Sequence, residues 1–263
     1  MNKNKVVLAG AGTMGASLAQ VYAQAGWDTV LWNRSAAGLE RAKSLISLNQ
    51  ATFIKEGILV EVESNAMLSR IRMTTDKADY QDAALVVESI VEKLDAKQAF
   101  WEEISALVPA EALLATNTSG LKITEIAKAC KHPERFMGQH WLNPPHLLPL
   151  CEIIAGEQTA PENVQKMRTL VKNLGKQPVV VADINGFIIN RIQFALLREA
   201  LHIVDIGAAT VEDVDTALKA GMGLRYAALG PFGVADFGGL DTFDHINSYL
   251  NAELDDSKVG NKR

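Results

Sequence analysis

Near the start of the chain, Gly10-Ala11-Gly12-Thr13-Met14-Gly15 sets three glycines at a spacing suited to phosphate. The first permits a tight turn, the second lets backbone approach a pyrophosphate, and the third lets a helix pack closely on a strand. Such spacing is informative only between a strand and a helix. Here the apolar run Lys5–Ala9 precedes it, the helical run Thr13–Ala25 follows, and a second strand, Asp28–Trp32, comes next. A helix N-terminus at Thr13 would offer amide donors and partial positive charge to a dinucleotide. The second strand ends Leu31-Trp32-Asn33-Arg34-Ser35. A carboxylate in that slot would hold the ribose hydroxyls of NAD. Asn33 cannot repel a 2′-phosphate and Arg34 could pair with one, so these residues leave NAD and NADP open.

Two other residues suit proton transfer. His140 stands at the end of the apolar strand Phe136–Trp141 and heads a Trp-Leu-Asn-Pro-Pro turn. The C-terminal ends of strands in α/β sheets face ligands, and imidazole is the side chain best matched to general-base work near neutral pH. Glu152 lies between Leu150-Cys151 and Ile153-Ile154. A carboxylate in so apolar a strand is costly unless paired, and His140 is the candidate partner. His132, His202 and His245 read as structural or solvated.

The elements that must position these groups follow a regular rhythm. Helix Ala36–Glu56 follows the second strand. Further strands are expected at Ile71–Thr74, Ala84–Ile90, Leu113–Ala115, Leu150–Ile154 and Val179–Ala182, with helices at Lys93–Leu107 and Thr124–Ala129. Alternation of this kind implies a parallel sheet covered on both faces. After Ala182 the pattern turns helical. Gly186–Ala220 reads as helices with one break, Thr210 and Asp213 forming an N-terminal cap. A Gly- and Pro-containing loop from Gly221 to Gly233 follows, then a helix over Leu240–Leu254. The expected division is an α/β domain over 1–184 and an all-helical domain over 185–263.

Composition limits the partners. The 263 residues are 48% hydrophobic and 22% charged, with a formal net charge of −5. That balance argues against nucleic acid, whose binders need a basic surface. No apolar run approaches the ~20 residues that span a bilayer. The lysines and short apolar stretch at the start run straight into the glycine motif, so no signal peptide is expected. Cys130 and Cys151 have no CxxC partner and read as reduced, buried thiols of a cytoplasmic protein.

Four more segments, in order and spacing with the glycine loop, give the sequence a family resemblance. They are VVESIVEKLDAK at 86–97, ATNTSGLKI at 115–123, RFMGQHWLNP with PLCEII at 135–154, and NGFIINR at 185–191. The chain resembles the L-3-hydroxyacyl-CoA dehydrogenases over nearly its whole length. The resemblance implies a Rossmann-type domain joined to a helical domain that dimerises. It implies His140 as catalytic base, taking the hydroxyl proton as hydride leaves for nicotinamide, with Glu152 orienting and stabilising the imidazolium. It implies that Ser119 and Asn190 hydrogen-bond the substrate, that Asn143 sets nicotinamide and substrate, and that Glu92 and Lys97 reach the cofactor. No metal is implied. The chemistry is consistent: a neutral-range base, a carboxylate partner and neutral donors near the reacting oxygen suit a secondary alcohol and its ketone.

There are departures. Gly120 stands where the family has a second serine. Asn143-Pro144-Pro145-His146 and Gly221-Met222-Gly223-Leu224-Arg225-Tyr226 look closer to the L-gulonate 3-dehydrogenase and lambda-crystallin branch, in which Arg225 would meet a free substrate carboxylate. PFGVADFGGLD at 231–241 looks like the acyl-CoA branch. Two enzymatic expectations therefore stand, a 3-hydroxyacyl-CoA and a free hydroxy acid, beside a third in which the chain binds dinucleotide without turnover. Lys258–Arg263 resembles the basic run that precedes a closing aromatic segment in the family, which the sequence lacks.

Overall fold

The computed structural model describes residues 4–258, and most of the basic run ending at Arg263 lies outside them. The chain divides into two compact units, one ending at Ile188 and one beginning at Ile189.

The first unit is built on one sheet of eight strands. They are β1 (Lys5–Ala9), β2 (Asp28–Trp32), β3 (Ile71–Thr74), β4 (Leu85–Glu88), β5 (Leu113–Thr116), β6 (Phe136–Trp141), β7 (Leu150–Ala155) and β8 (Gln177–Ala182). Their order is β3-β2-β1-β4-β5-β6-β7-β8. The chain runs outward from β1 in one direction and then, from β4, in the other. A switch point between β1 and β4 is where doubly wound sheets take their ligands. Neighbours are parallel except β6 and β7, which run antiparallel. Near-continuous apolar strands such as Val6-Val7-Leu8 follow from burial on both faces.

Helices α1 (Thr13–Gln24), α2 (Ala36–Lys55), α3 (Glu61–Leu68) and α6 (Pro161–Asn173) cover one face, where Leu8, Leu31, Met137 and Ile153 are buried. Helices α4 (Leu94–Leu107) and α5 (Ile123–Ala127) cover the other, over Val86, Leu114, Phe136 and Ile154. Helix α3 has no counterpart among the expected elements, because only Ser64 and Met67 are buried in it and its apolar signal is thin. Strand β8 begins earlier than expected and takes in Pro178, which an edge strand tolerates because no ladder partner needs the missing N–H.

The second unit is helical. It comprises α7 (Ile189–Asp205), α8 (Val211–Ala217), a π-helical stretch (Leu218–Gly223), α9 (Leu224–Tyr226), α10 (Pro231–Gly238) and α11 (Leu240–Leu250). Thr210 caps α8, its hydroxyl accepting from the Asp213 amide at 3.1 Å. The expected loop over Gly221–Gly233 is a correction, since much of it is helical. Pro231 opens α10 from its first turn, where its missing N–H costs nothing, and Gly230 serves as N-cap.

Candidate active site

The local geometry begins at the glycine loop. Gly10 has a φ of +108°, and a Cβ there would come within 2.6 Å of the Ser89 carbonyl oxygen. At Gly15 a Cβ would lie 1.8 Å from the Gly10 carbonyl oxygen, so helix and loop meet at a distance only glycine allows. A Cβ at Gly12 would meet nothing within 4 Å, which leaves open space beside the N-terminus of α1. The fit to a pyrophosphate is therefore good: strained turn, close packing and open amide cradle fall in the required order. Thr13 and Met14 begin α1 at this opening.

At the end of β2, Asn33 is bound locally. Its amide nitrogen donates to the Ser35 carbonyl at 3.0 Å, and its oxygen accepts weakly from the Ala11 amide at 3.4 Å. Asn33 thus ties the glycine loop to the N-cap of α2. Arg34 beside it is exposed and takes part in no ion pair among the described residues.

The proton-transfer pair sits on β6 and β7. In the antiparallel register His140 stands directly opposite Glu152. Opposed residues of such a pair point to the same face, with Cβ atoms about 5 Å apart. Both side chains are buried, and Nδ1 of His140 lies 2.7 Å from Oε2 of Glu152. A carboxylate there holds the proton on Nδ1 and leaves Nε2 as the basic nitrogen. The other oxygen, Oε1, accepts from the Ile188 amide at 2.8 Å. Phe187 is fully buried against the imidazole, ring centroids 5.4 Å apart, and holds a φ of +50°. Gly186 and Phe187 both adopt positive φ, making the turn that aims the Ile188 amide at Glu152. Burial pushes the neighbouring Cys151 thiol up, and the charge of Glu152 adds to it; its side chain lies in the core on the opposite face of β7, an inert buried thiol.

A second polar cluster lies at the ends of β4 and β5. Glu88 is completely buried. Its Oε1 accepts from Lys97 Nζ at 2.5 Å and from the Ile90 amide at 2.8 Å, and its Oε2 accepts from Thr116 at 2.7 Å. Lys97, Trp101 and Ile104 share the inward face of α4, so the lysine must find its counter-charge inside. Glu92 lies 3.4 Å from the same ammonium. Its Oε1 accepts from the Thr118 hydroxyl, from the Ser119 amide at 2.9 Å and from the Gly120 amide at 3.2 Å. Partial burial raises the Glu92 carboxyl, but the Thr118 hydroxyl, the Lys97 charge and the two amides outweigh it and hold the group below its ordinary value. Asn117, which the sequence reading passed over inside ATNTSG, accepts from the Trp141 amide at 2.9 Å and so ties the end of β5 to the residue after His140.

Of the other candidate residues, Ser119 is exposed on the turn that Glu92 grips, and Asn143 is exposed beyond β6. Asn190 lies in the first turn of α7 and Arg225 in α9. Phe187 and Glu88 are additions from the structure. Phe187 carries no signal of its own in the sequence; that for Glu88 is a carboxylate in an apolar strand, the same signal that marks Glu152. Among the described residues, no group of His, Cys, Asp and Glu could hold a metal ion.

A doubly wound sheet, a glycine cradle at its switch point and a His–Glu pair at the same strand ends define a nicotinamide-dinucleotide oxidoreductase. Residues 5–184 match the model of the 3-hydroxyacyl-CoA dehydrogenase NAD-binding domain, and residues 186–263 match that of the C-terminal domain of the same enzymes. The chain belongs to the 3-hydroxyacyl-CoA dehydrogenase family. It is 38% identical to 5-formyl-3-hydroxy-2-methylpyridine 4-carboxylate 5-dehydrogenase of Mesorhizobium japonicum, over 95% of this chain and 80% of that one. It is also 38% identical to 3-hydroxybutyryl-CoA dehydrogenase of Bradyrhizobium diazoefficiens, over 97% of this chain and 86% of that one. A solved structure of a 5-formyl-3-hydroxy-2-methylpyridine 4-carboxylic acid 5-dehydrogenase, described as an NAD+-dependent dismutase, superposes with a TM-score of 0.90. It is 36% identical, and the match covers 98% of this chain and 84% of that one. That of (S)-3-hydroxybutyryl-CoA dehydrogenase from Ralstonia eutropha superposes with a TM-score of 0.79 at 31% identity, over 96% and 88%. The chain is an NAD(P)-dependent oxidoreductase acting on a carbon that carries a hydroxyl.

Proposed function

We infer that the substrate is an L-3-hydroxyacyl-CoA of the 3-hydroxybutyryl type, oxidised at its 3-hydroxyl or formed by reduction of the 3-oxo thioester. The buried His140–Glu152 pair is the observation that carries this reading. In the oxidation, Nε2 of His140 takes the hydroxyl proton. Glu152 stays ionised, keeps the ring in the productive tautomer and stabilises the imidazolium that forms. Bound nicotinamide supplies the hydride acceptor. Gly10, Gly12, Thr13, Met14 and Gly15 would hold the dinucleotide phosphates, with Asn33 and Arg34 toward the adenosine end. Ser119 and Asn190 are the proposed donors to the substrate oxygen and its neighbouring carbonyl, and Asn143 the proposed support for nicotinamide and substrate. In the reductive direction neutral donors stabilise the oxyanion that develops as hydride arrives. A homodimer and a cytoplasmic location belong to the same reading. It is supported by the relatives named 3-hydroxybutyryl-CoA dehydrogenase and, for location, by the fact that no described helix is long and apolar enough to cross a membrane.

A second reading has its own observation. The Mesorhizobium relative is named for a free pyridine carboxylate, and Arg225 takes part in no ion pair among the described residues. A guanidinium there would meet a substrate carboxylate bidentately.

Mixing purified protein with acetoacetyl-CoA, once with NADH and once with NADPH, tests both. Rapid cofactor oxidation supports the thioester, and the faster cofactor shows what Asn33 and Arg34 select. Silence with both, in protein that binds the cofactor, moves the assignment to a carboxylated substrate. Arg225→Ala should then abolish activity on the free acid.

A further inference from the structure

The end of β2 lies where a doubly wound sheet holds the adenosine ribose of its dinucleotide. There the structure is fitted to an amide and not to a carboxylate. Asn33 Nδ2 donates to the Ser35 carbonyl at 3.0 Å and to the Ser35 hydroxyl at 3.3 Å, while Oδ1 accepts from the Ala11 amide at 3.4 Å. An aspartate in that rotamer would set a carboxylate oxygen against the Ser35 carbonyl, oxygen on oxygen. Gly38 makes the rotamer possible, since a Cβ there would come within 2.1 Å of Asn33 Nδ2. The side chain that in an NAD site accepts from the ribose hydroxyls is therefore neutral here, with its donor end engaged at the start of α2. The groups around it suit an anion. Arg34 is exposed and pairs with no carboxylate among the described residues. Ala36 and Ala37 begin the 20-residue helix α2, both exposed, with no acidic residue in its first turn. The first amides of a helix lack intrahelical acceptors and carry partial positive charge. The Ser35 hydroxyl accepts from Asn33 and from the Gly38 amide, and it donates to no acceptor among the described residues.

We propose that this slot holds the 2′-phosphate of NADP, so that Asn33, Arg34 and Ser35 select NADP over NAD. A carboxylate would repel the phosphate; an amide held in place does not. Arg34 supplies a guanidinium that can grip two phosphate oxygens at once, which a lysine could not. Ser35 adds a hydroxyl donor, and the first amides of α2 add fixed dipoles. The glycine cradle serves the pyrophosphate that both cofactors share, so it takes no part in the choice. The matching family model carries NAD in its name, and the preference for NADP belongs to this chain's own residues at one slot. It rests on the dinucleotide class of the site and on neither reading of the substrate.

Titration of the purified protein with NADPH and with NADH, followed by nicotinamide fluorescence, tests this without turnover. Calorimetry with 2′,5′-ADP and 5′-AMP isolates the adenosine half. NADPH should bind about tenfold or more tighter than NADH, and 2′,5′-ADP tighter than 5′-AMP by a similar factor. The advantage should shrink as salt rises from about 0.05 to 0.5 M, because exposed charges are screened. Arg34→Gln should weaken NADPH by about tenfold and leave NADH within about twofold. Asn33→Asp should reverse the preference. Arg34 is exposed, so its variant keeps the fold and decides alone if Asn33→Asp does not fold. Equal or tighter binding of NADH by wild type overturns the proposal. So does an NADPH preference that survives Arg34→Gln, or a loss of both cofactors in that variant. Silence toward acetoacetyl-CoA touches only the thioester reading, because none of these titrations contains substrate.

Discussion

At the scale of single residues, the decisive contact is the 2.7 Å bond between His140 and Glu152. Glu152→Gln should keep the fold but lower kcat by about 100-fold or more, because the amide no longer enforces the tautomer that leaves Nε2 basic. Stopped-flow reduction of the 3-oxo thioester measures it, and a loss under threefold would refute the role. Glu152→Ala should also cost about 1–3 kcal/mol of stability, since the Ile188 amide loses its acceptor. Gly15→Ala makes the complementary case at the cradle. A methyl group 1.8 Å from the Gly10 carbonyl must displace the loop, so NADH affinity should drop tenfold or more, about 1.4 kcal/mol, with the circular dichroism unchanged. Wild-type affinity in that variant would mean the loop does not carry the phosphates. These residues were legible in the sequence because their signals are local: glycines at fixed spacing, and a charge in an apolar strand. Phe187 was not. A buried aromatic at φ +50° leaves no trace in composition, and only the chain's return toward β7 gives it a reason.

At the scale of elements, strand periodicity carries the argument further than helix periodicity does. The strands alternate faces, so His140 and Glu152 fall on the side of Phe136 and Ile154, away from Met137 and Ile153. That much follows from the apolar pattern once the register is known. The register itself was hidden, because the sequence does not announce that β7 turns antiparallel after a run of parallel neighbours. The helical loop at 221–233 was hidden for another reason. Gly and Pro usually break helices, yet here Pro231 stands where a helix begins. The cap at Thr210 was readable, and Thr210→Ala should cost about 1 kcal/mol in thermal unfolding of the holoenzyme. Glu92 adds a pH signature. Its folded carboxyl lies below the ordinary value, first against burial and then through Thr118, Lys97 and the turn amides. The stabilisation is therefore complete at neutral pH and is lost as the pH falls through the depressed folded value. The gap in unfolding midpoint between wild type and Glu92→Gln should narrow on acidification from neutral to about pH 3. A gap that widens in acid would contradict the assignment of charge.

At the scale of the whole molecule, the two units differ in how they finish their cores. In the sheet unit the central strands are buried on both faces, and only the edge strand β8 is largely exposed. In the helical unit Phe232 and Phe237 are 89% and 88% exposed, and no described residue of α7, α8 or α11 is buried. An apolar surface of that kind is what an interface would cover, and on the proposed homodimer reading a second copy would cover it. Sedimentation of Phe237→Asp should show a shift toward monomer relative to wild type at equal concentration. An unchanged mass would place the interface elsewhere.

The antiparallel pairing of β6 with β7 has a consequence for how such a chain can change over generations. His140 and Glu152 are matched by main-chain bonds, each opposite the other in register, while the segment from 142 to 149, with Asn143 at its start, joins the two strands. Beyond Asn143, sequence in that connection can change, lengthen or acquire new contacts without separating the dyad. A slip of one register position, by contrast, would turn Glu152 to the other face and erase the chemistry at a stroke. Selection can thus retune what the enzyme accepts through its loops while the proton-transfer machinery is inherited intact. Relatives named for a thioester and for a pyridine carboxylate, on one scaffold, are what such an arrangement would produce.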